Sequence, residues 1–137
     1  MSIMTKILFG SGEPLEVGAD APNLTAIDQD GHSLSLGDAY RKGFVLVYFY
    51  PKADTPGCTL QACSLRDDFE NLTDRGVSVI GVSNDSPDAQ KKFQEKFDLP
   101  FTLLADEDKK VINAFGVPAK LGKAARQAFL IHQGKVV

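Results

Sequence analysis

Segments with strand and helix patterning alternate along this 137-residue chain, which predicts an α/β domain: a central mixed sheet flanked by helices, with an N-terminal hairpin. Three observations carry the prediction. Residues 44–50 (F-V-L-V-Y-F-Y) are uninterruptedly apolar, as in a strand buried on both faces of a mainly parallel sheet. A second apolar run follows at residues 77–82, after a stretch with helical periodicity. Ser86-Pro87 is then an N-cap and first-turn pair that opens another helix.

Taken in order, residues 24–28 and the leucines 34 and 36 flank Gln29-Asp30-Gly31, a small hairpin with Asp-Gly at its turn. Pro51 ends the strand at 44–50. From residue 59 to 72, Leu65, Phe69 and Leu72 fall at i, i+4 and i+7 with charged residues between them, the pattern of an amphipathic helix. The helix from Ser86 runs to about Phe97. Residues 101–104 form another strand, residues 108–115 a short helix stopped by Gly116, and residues 127–131 a further strand. A turn at Gln133-Gly134 leads into the start of a partner strand at Val136-Val137. Crossovers of this kind put the turn before Cys58 at the C-terminal end of a central strand, the edge where α/β proteins carry their chemistry.

At 137 residues the chain fits one domain. A net charge of −3 argues against nucleic acid or an anionic membrane as partner. No stretch approaches the roughly 20 apolar residues of a membrane span. The first ten residues lack the apolar core and cleavage site of an export signal, so a cytoplasmic location is expected. In that compartment cysteines are working thiols more often than structural disulfides.

The chain has two cysteines, Cys58 and Cys63, five positions apart. Cys58 sits where the helix begins. The positive end of the helix dipole favours the thiolate, and the thiolate is the nucleophile. An ordinary thiol is only about 3% ionised at neutral pH, and a helix terminus contributes at most about 2 kcal/mol. A nearby guanidinium would supply the rest. Cα atoms five apart on an intact helix are roughly 8 to 9 Å apart, beyond the ~6.8 Å that a disulfide tolerates. If the two cysteines bond, the start of the helix has to unwind.

Residues 51–58, Pro51-Lys52-Ala53-Asp54-Thr55-Pro56-Gly57-Cys58, match the P-x-x-x-T-x-x-C pattern of peroxiredoxins. The wider context Y-F-Y-P-K-A-x-T-P-G-C-T-x-Q-A-C resembles the Q-type, or bacterioferritin co-migratory, branch. The resemblance extends through Ala21-Pro22-Asn23-Leu24, Asp28-Gln29-Asp30-Gly31, Leu103-Leu104-Ala105-Asp106-Glu107 and Phe115-Gly116-Val117-Pro118. It implies a thioredoxin-like fold and a thiol-dependent peroxidase for hydrogen peroxide and organic hydroperoxides. By position, Cys58 would be the peroxidatic cysteine and Cys63 the resolving one, joined in an intramolecular disulfide that a thioredoxin-like dithiol reduces. Thr55 would hydrogen-bond near the thiolate and the peroxide, Pro51 would shield the site from water, and Arg126 would be the active-site arginine. No metal or organic cofactor is implied, and a monomer or weak dimer is expected.

The same resemblance divides the chain into an N-terminal extension, residues 1–15, and a peroxiredoxin domain, residues 16–137, whose C-terminal strand and helix are incomplete. Two rival functions remain open. A dithiol-disulfide oxidoreductase on the same fold would normally carry Cys-x-x-Cys and would leave Pro51 and Thr55 without purpose. A catalytically silent interaction domain would keep only the fold. Should Cys63 serve packing alone, Cys58 would be resolved by an external thiol. Zinc is disfavoured, because His32 and His132 lie a hundred positions apart and Cys-x4-Cys lacks the usual ligand pairing. Residues 116–123 have five residues between Gly116 and Gly122, and no Ser or Thr follows Lys123, which rejects a phosphate loop.

Overall fold

A computed structural model describes residues 13–137. Its elements are β1 (Thr25–Ile27), β2 (Ser33–Ser35), α1 (Leu36–Tyr40), β3 (Phe44–Phe49), α2 (Pro56–Asp67), α3 (Phe69–Asp74) and β4 (Val77–Ser83). These are followed by α4 (Pro87–Lys96), β5 (Thr102–Ala105), α5 (Lys110–Ala114), β6 (Ala119–Lys120), β7 (Lys123–Ala124), β8 (Gln127–His132) and β9 (Lys135–Val136). The main sheet has the order β5-β4-β3-β8-β9. Strands β3, β4 and β5 are parallel, whereas β8 runs antiparallel to β3 and β9 antiparallel to β8. The sheet is therefore mixed, as expected, and β3 lies at its centre.

The run at 44–50 is apolar on both sides because β3 has a core on both sides. Val45, Val47 and Phe49 join Ile80, Val82, Leu104, Phe129 and Ile131 in one cluster, closed by Leu36, Val111, Ile112 and Phe115. On the other face Tyr48 and Tyr50 pack with Cys58, Ala62, Val79, Phe93 and Phe101. The peroxide-linked pattern and the second core thus share residues. Ser86 caps α4 by accepting from the Ala89 amide, with Pro87 in the first turn.

The structure departs from the sequence reading in four places. The helix expected over 59–72 starts earlier, at Pro56, and is broken at Asp68 into α2 and α3. Leu36 is not a strand residue but opens α1, whose Asp38 amide is capped by the Ser35 hydroxyl. The short helix expected over 108–115 is trimmed to α5, after which Gly116 takes a positive φ of 69°. A ribbon of β6 and β7 occupies the segment rejected as a phosphate loop, turning at Leu121-Gly122 with φ of 51° and 76°. Two left-handed residues in succession suit a two-residue hairpin turn.

Of the extension drawn at residues 1–15, residues 1–12 lie outside the described residues. Leu15 packs against the first cluster, and its amide donates to the Phe115 carbonyl at 3.1 Å.

Candidate active site

Strand β3 hands the chain to α2 through a turn in which Asp54 is left-handed, with φ of 59°. Aspartate tolerates that conformation better than most side chains. Thr55 is the N-cap residue and Pro56 follows in the first turn, where a missing N–H costs nothing. Cys58 lies in that turn, 2% exposed, its side chain packed in the second core cluster. The thiol therefore sits at the positive end of a 12-residue helix.

Arg126 precedes β8, whose Gln127 pairs with Phe49 at the end of β3. This register brings a residue 68 positions away over the helix start. Its Nη2 donates to Cys58 Sγ at 3.4 Å, and Nη1 donates to Gln61 Oε1 at 2.6 Å. The second bond fixes the guanidinium plane from within α2. Gly57 leaves room for the guanidinium, since a Cβ there would lie 3.1 Å from Arg126 Nη2 and push it by a few tenths of an ångström. Arg126 itself is exposed, whereas the sulfur it meets is buried.

The structure brings Cys58 and Arg126 into contact. Pro51 is half-buried at the end of β3. Thr55 donates its hydroxyl proton to the Lys52 carbonyl at 2.8 Å, so its remaining hydrogen-bonding capacity is as an acceptor. It also makes no side-chain cap, and the first turn of α2 keeps amides that no side chain answers. Cys63 is half-buried on the same helix, and both thiols are free.

Three residues were not singled out from the sequence. Gln61 is visible there only as the Gln of Q-A-C, with nothing to say that it orients a guanidinium. Tyr48, 1% exposed, has a buried hydroxyl with no hydrogen-bond partner among the described residues. Burial first, and then the nearby Cys58, pushes that hydroxyl well above the ordinary phenol range, while Arg126 pulls the other way. Asp85 accepts the Ala53 amide at 2.8 Å within the turn before Thr55.

Elsewhere, Asp28, Asp30 and His32 bring candidate ligand atoms within 4.8 Å of one another. Asp28 Oδ1 already accepts the amides of Asp30 and His32, which makes this a hydrogen-bonded turn. Lys91 binds the Asp30 carboxylate at 2.7 Å and holds its pKa below the usual range. His132 stacks on Phe44, ring centroids 4.0 Å apart. A cleft of about 660 Å³ lined by Tyr40, Arg41, Gly43 and His132 lies at the opposite end of β3 from Cys58. Among the described residues, no helix is long and apolar enough to cross a membrane.

Comparison with known proteins gives the family. The AhpC/TSA family matches residues 17–137. A peroxiredoxin Q, chloroplastic, from Oryza sativa subsp. japonica is 46% identical over 122 residues, 88% of this chain and 56% of that protein. Peroxiredoxin Bcp of Escherichia coli K12 is 52% identical over 104 residues, 76% of this chain and 66% of that protein. The chain thus spans a little over half the length of the rice relative. Among solved structures, peroxidoxin BcpB of Mycobacterium tuberculosis superposes with a TM-score of 0.85 at 33% identity, covering 89% of this chain and 82% of that one. A Xanthomonas campestris bacterioferritin comigratory protein, studied in trapped intermediate and ligand complexes for its alkyl peroxide reduction activity, gives 0.79 at 29% identity, covering 90% and 83%. With its thioredoxin-like sheet and a thiol at the head of α2, the chain belongs to the AhpC/TSA family, among the peroxiredoxins of the Q, or Bcp, type.

Proposed function

We propose that this chain is a thiol-dependent peroxidase acting on hydrogen peroxide and organic hydroperoxides. The observation that carries the reading is the Arg126 guanidinium on Cys58 Sγ, 3.4 Å away, at the N-terminus of α2. Both put positive charge or partial positive charge beside the sulfur. The thiolate attacks one peroxide oxygen, the O–O bond breaks, and the other oxygen leaves as water or an alcohol after taking a proton. Arg126 offsets the charge that develops as the bond breaks. Pro51 and the lone pairs of Thr55 border the approach. Cys58 is left as a sulfenic acid.

In this reading Cys63 resolves it: its sulfur attacks the sulfenic sulfur, water departs, and a Cys58–Cys63 disulfide forms. A thioredoxin-like dithiol then restores both thiols. No metal or organic cofactor enters the cycle. A reducing compartment, the cytoplasm, suits two free cysteines. The working species is a monomer or weak dimer without nucleic-acid or membrane partners. The expected test is peroxide consumption coupled to a thioredoxin system: the chain turns over, and Cys58→Ser does not. Turnover by Cys58→Ser would reject the peroxidase, whereas disulfide exchange without peroxide consumption would favour the oxidoreductase.

Resolution requires α2 to open, because both cysteines lie on one continuous helix. Its first half is cheap to open. It has no side-chain N-cap, contains Gly57, and buries only Cys58 and Ala62. Arg66, which donates to the Phe97 carbonyl at 2.9 Å, ties the later turns to the end of α4. Oxidation is therefore expected to lower amide-exchange protection over residues 59–65 and to spare the helix beyond Arg66. Equal protection in the two redox states would reject unwinding.

A further inference from the structure

The turn that carries Pro51 and Thr55 is held from behind by a chain of buried and half-buried polar groups. Tyr50 donates its hydroxyl proton to Gln90 Oε1 at 2.6 Å. The Gln90 amide nitrogen donates to Ser83 Oγ at 3.0 Å and to the Leu104 carbonyl at 2.8 Å. Ser83 Oγ also receives the Asp85 amide at 3.3 Å, so its own proton is directed to Asp85 Oδ2, 2.6 Å away. That same oxygen accepts the Ala53 amide at 2.8 Å. Tyr50, Ser83 and Gln90 are each 0% exposed.

Every proton in this chain has one direction, and both of its ends grip the same turn. Tyr50 immediately precedes Pro51, and Ala53 follows it by two positions. Ala53 also packs in the second core, and Lys96 holds the Asp54 carboxylate in an exposed pair that salt screens. Ala53 sits beside the left-handed Asp54, the residue at which the chain reverses toward Thr55. A lost anchor at Ala53 would let that reversal relax and carry Thr55 and Pro51 away from Cys58. The network links the residue after β3 to β4, α4 and β5, and none of the residues named in it belongs to α2.

We propose that Asp85 is a positioning residue for the Cys58 reaction, holding residues 51–55 in register with the thiol through the Ala53 amide. This rests on the peroxidase reading above. What Asp85 supplies is an acceptor oxygen with two donors on it, not a charge at the sulfur. An asparagine oxygen can take both donors, and a methyl group can take neither.

The test compares two reactions of the same thiol in the intact chain: oxidation by hydrogen peroxide and alkylation by iodoacetamide. Peroxide needs Thr55 and Pro51 in place, whereas alkylation needs only an accessible thiolate. Asp85→Ala is expected to lose about tenfold to a hundredfold in the peroxide rate constant, with alkylation unchanged, and Asp85→Asn to restore most of that loss. Ser83→Ala removes the donor that orients Asp85 and gives a smaller loss with the same selectivity, so the test survives if Asp85→Ala does not fold. An unaltered peroxide rate in Asp85→Ala, or in Ser83→Ala where that variant stands alone, overturns the proposal. So do equal losses in both reactions, or an Asp85→Asn variant as slow as Asp85→Ala. Absence of peroxide consumption by the unmodified chain would instead defeat the underlying reading.

Discussion

Replacing Arg126 with methionine is expected to slow the reaction of Cys58 with hydrogen peroxide by about a hundredfold or more, the loss seen when a donor aimed at developing charge is removed. The geometry gives the reason. Nη2 reaches the sulfur while Nη1 is pinned on Gln61 Oε1, so one side chain is both charged and oriented. A helix terminus gives at most about 2 kcal/mol, and its field points at the sulfur rather than at the departing oxygen. Lysine supplies charge without the fork that spans Gln61 and Cys58, and it is expected to recover only part of the rate. Stopped-flow measurement of sulfenic acid formation checks the series. A methionine variant within a few-fold of the unmodified chain would remove Arg126 from the mechanism.

Replacing Cys63 with serine is expected to leave the first oxidation intact and to abolish the intramolecular disulfide. After one equivalent of peroxide, the non-reduced chain should lose the mass of two hydrogens, and the Cys63→Ser chain should not. The variant accumulates the sulfenic acid, which further peroxide drives toward sulfinic acid. Cys63 is well placed for this separation of steps, because it makes no part of the Cys58–Arg126 contact. No such loss in the unmodified chain would move resolution to an external thiol, and the same loss in Cys63→Ser would remove Cys63 from the step.

How much of this was legible before the structure depends on the kind of interaction. Strand β3 was plain, since burial on both faces leaves no polar position in the run. The start of α4 was plain as well, because Ser86-Pro87 is a local signal acting on its own helix. Local chemistry misled where two signals overlapped. Leu36 continues the alternation of the hairpin, yet the Ser35 hydroxyl captures the Asp38 amide and turns the chain into α1. Leu65, Phe69 and Leu72 keep helical spacing across Asp68, so apolar periodicity ran through a break that the backbone makes at φ −97° and ψ 5°.

The site divides along the same line. Cys58, Pro51 and Thr55 stand together in sequence, and the helix-terminus argument needs only that stretch. Arg126 had no local signal, and only resemblance to a known family pointed to it. Physically its place is set by the pairing of β8 with β3, a long-range fact. Asp85 and Gln90 were invisible for a further reason. In sequence they belong to a polar loop and a helix face, and their role exists only where three elements converge.

The tyrosines offer one more consequence. The chain has three tyrosines and no tryptophan, and two of the three, Tyr48 and Tyr50, stack with ring centroids 5.4 Å apart beneath the reactive helix. Tyr48 shares its surroundings with both thiols and the guanidinium, whereas Tyr40 is tied to the Pro22 carbonyl on the far cluster. Two of the three ultraviolet emitters thus lie in the core that holds Cys58. Tyrosine emission is therefore expected to change when α2 opens in the proposed cycle, which gives a gauge of that step with no dye attached.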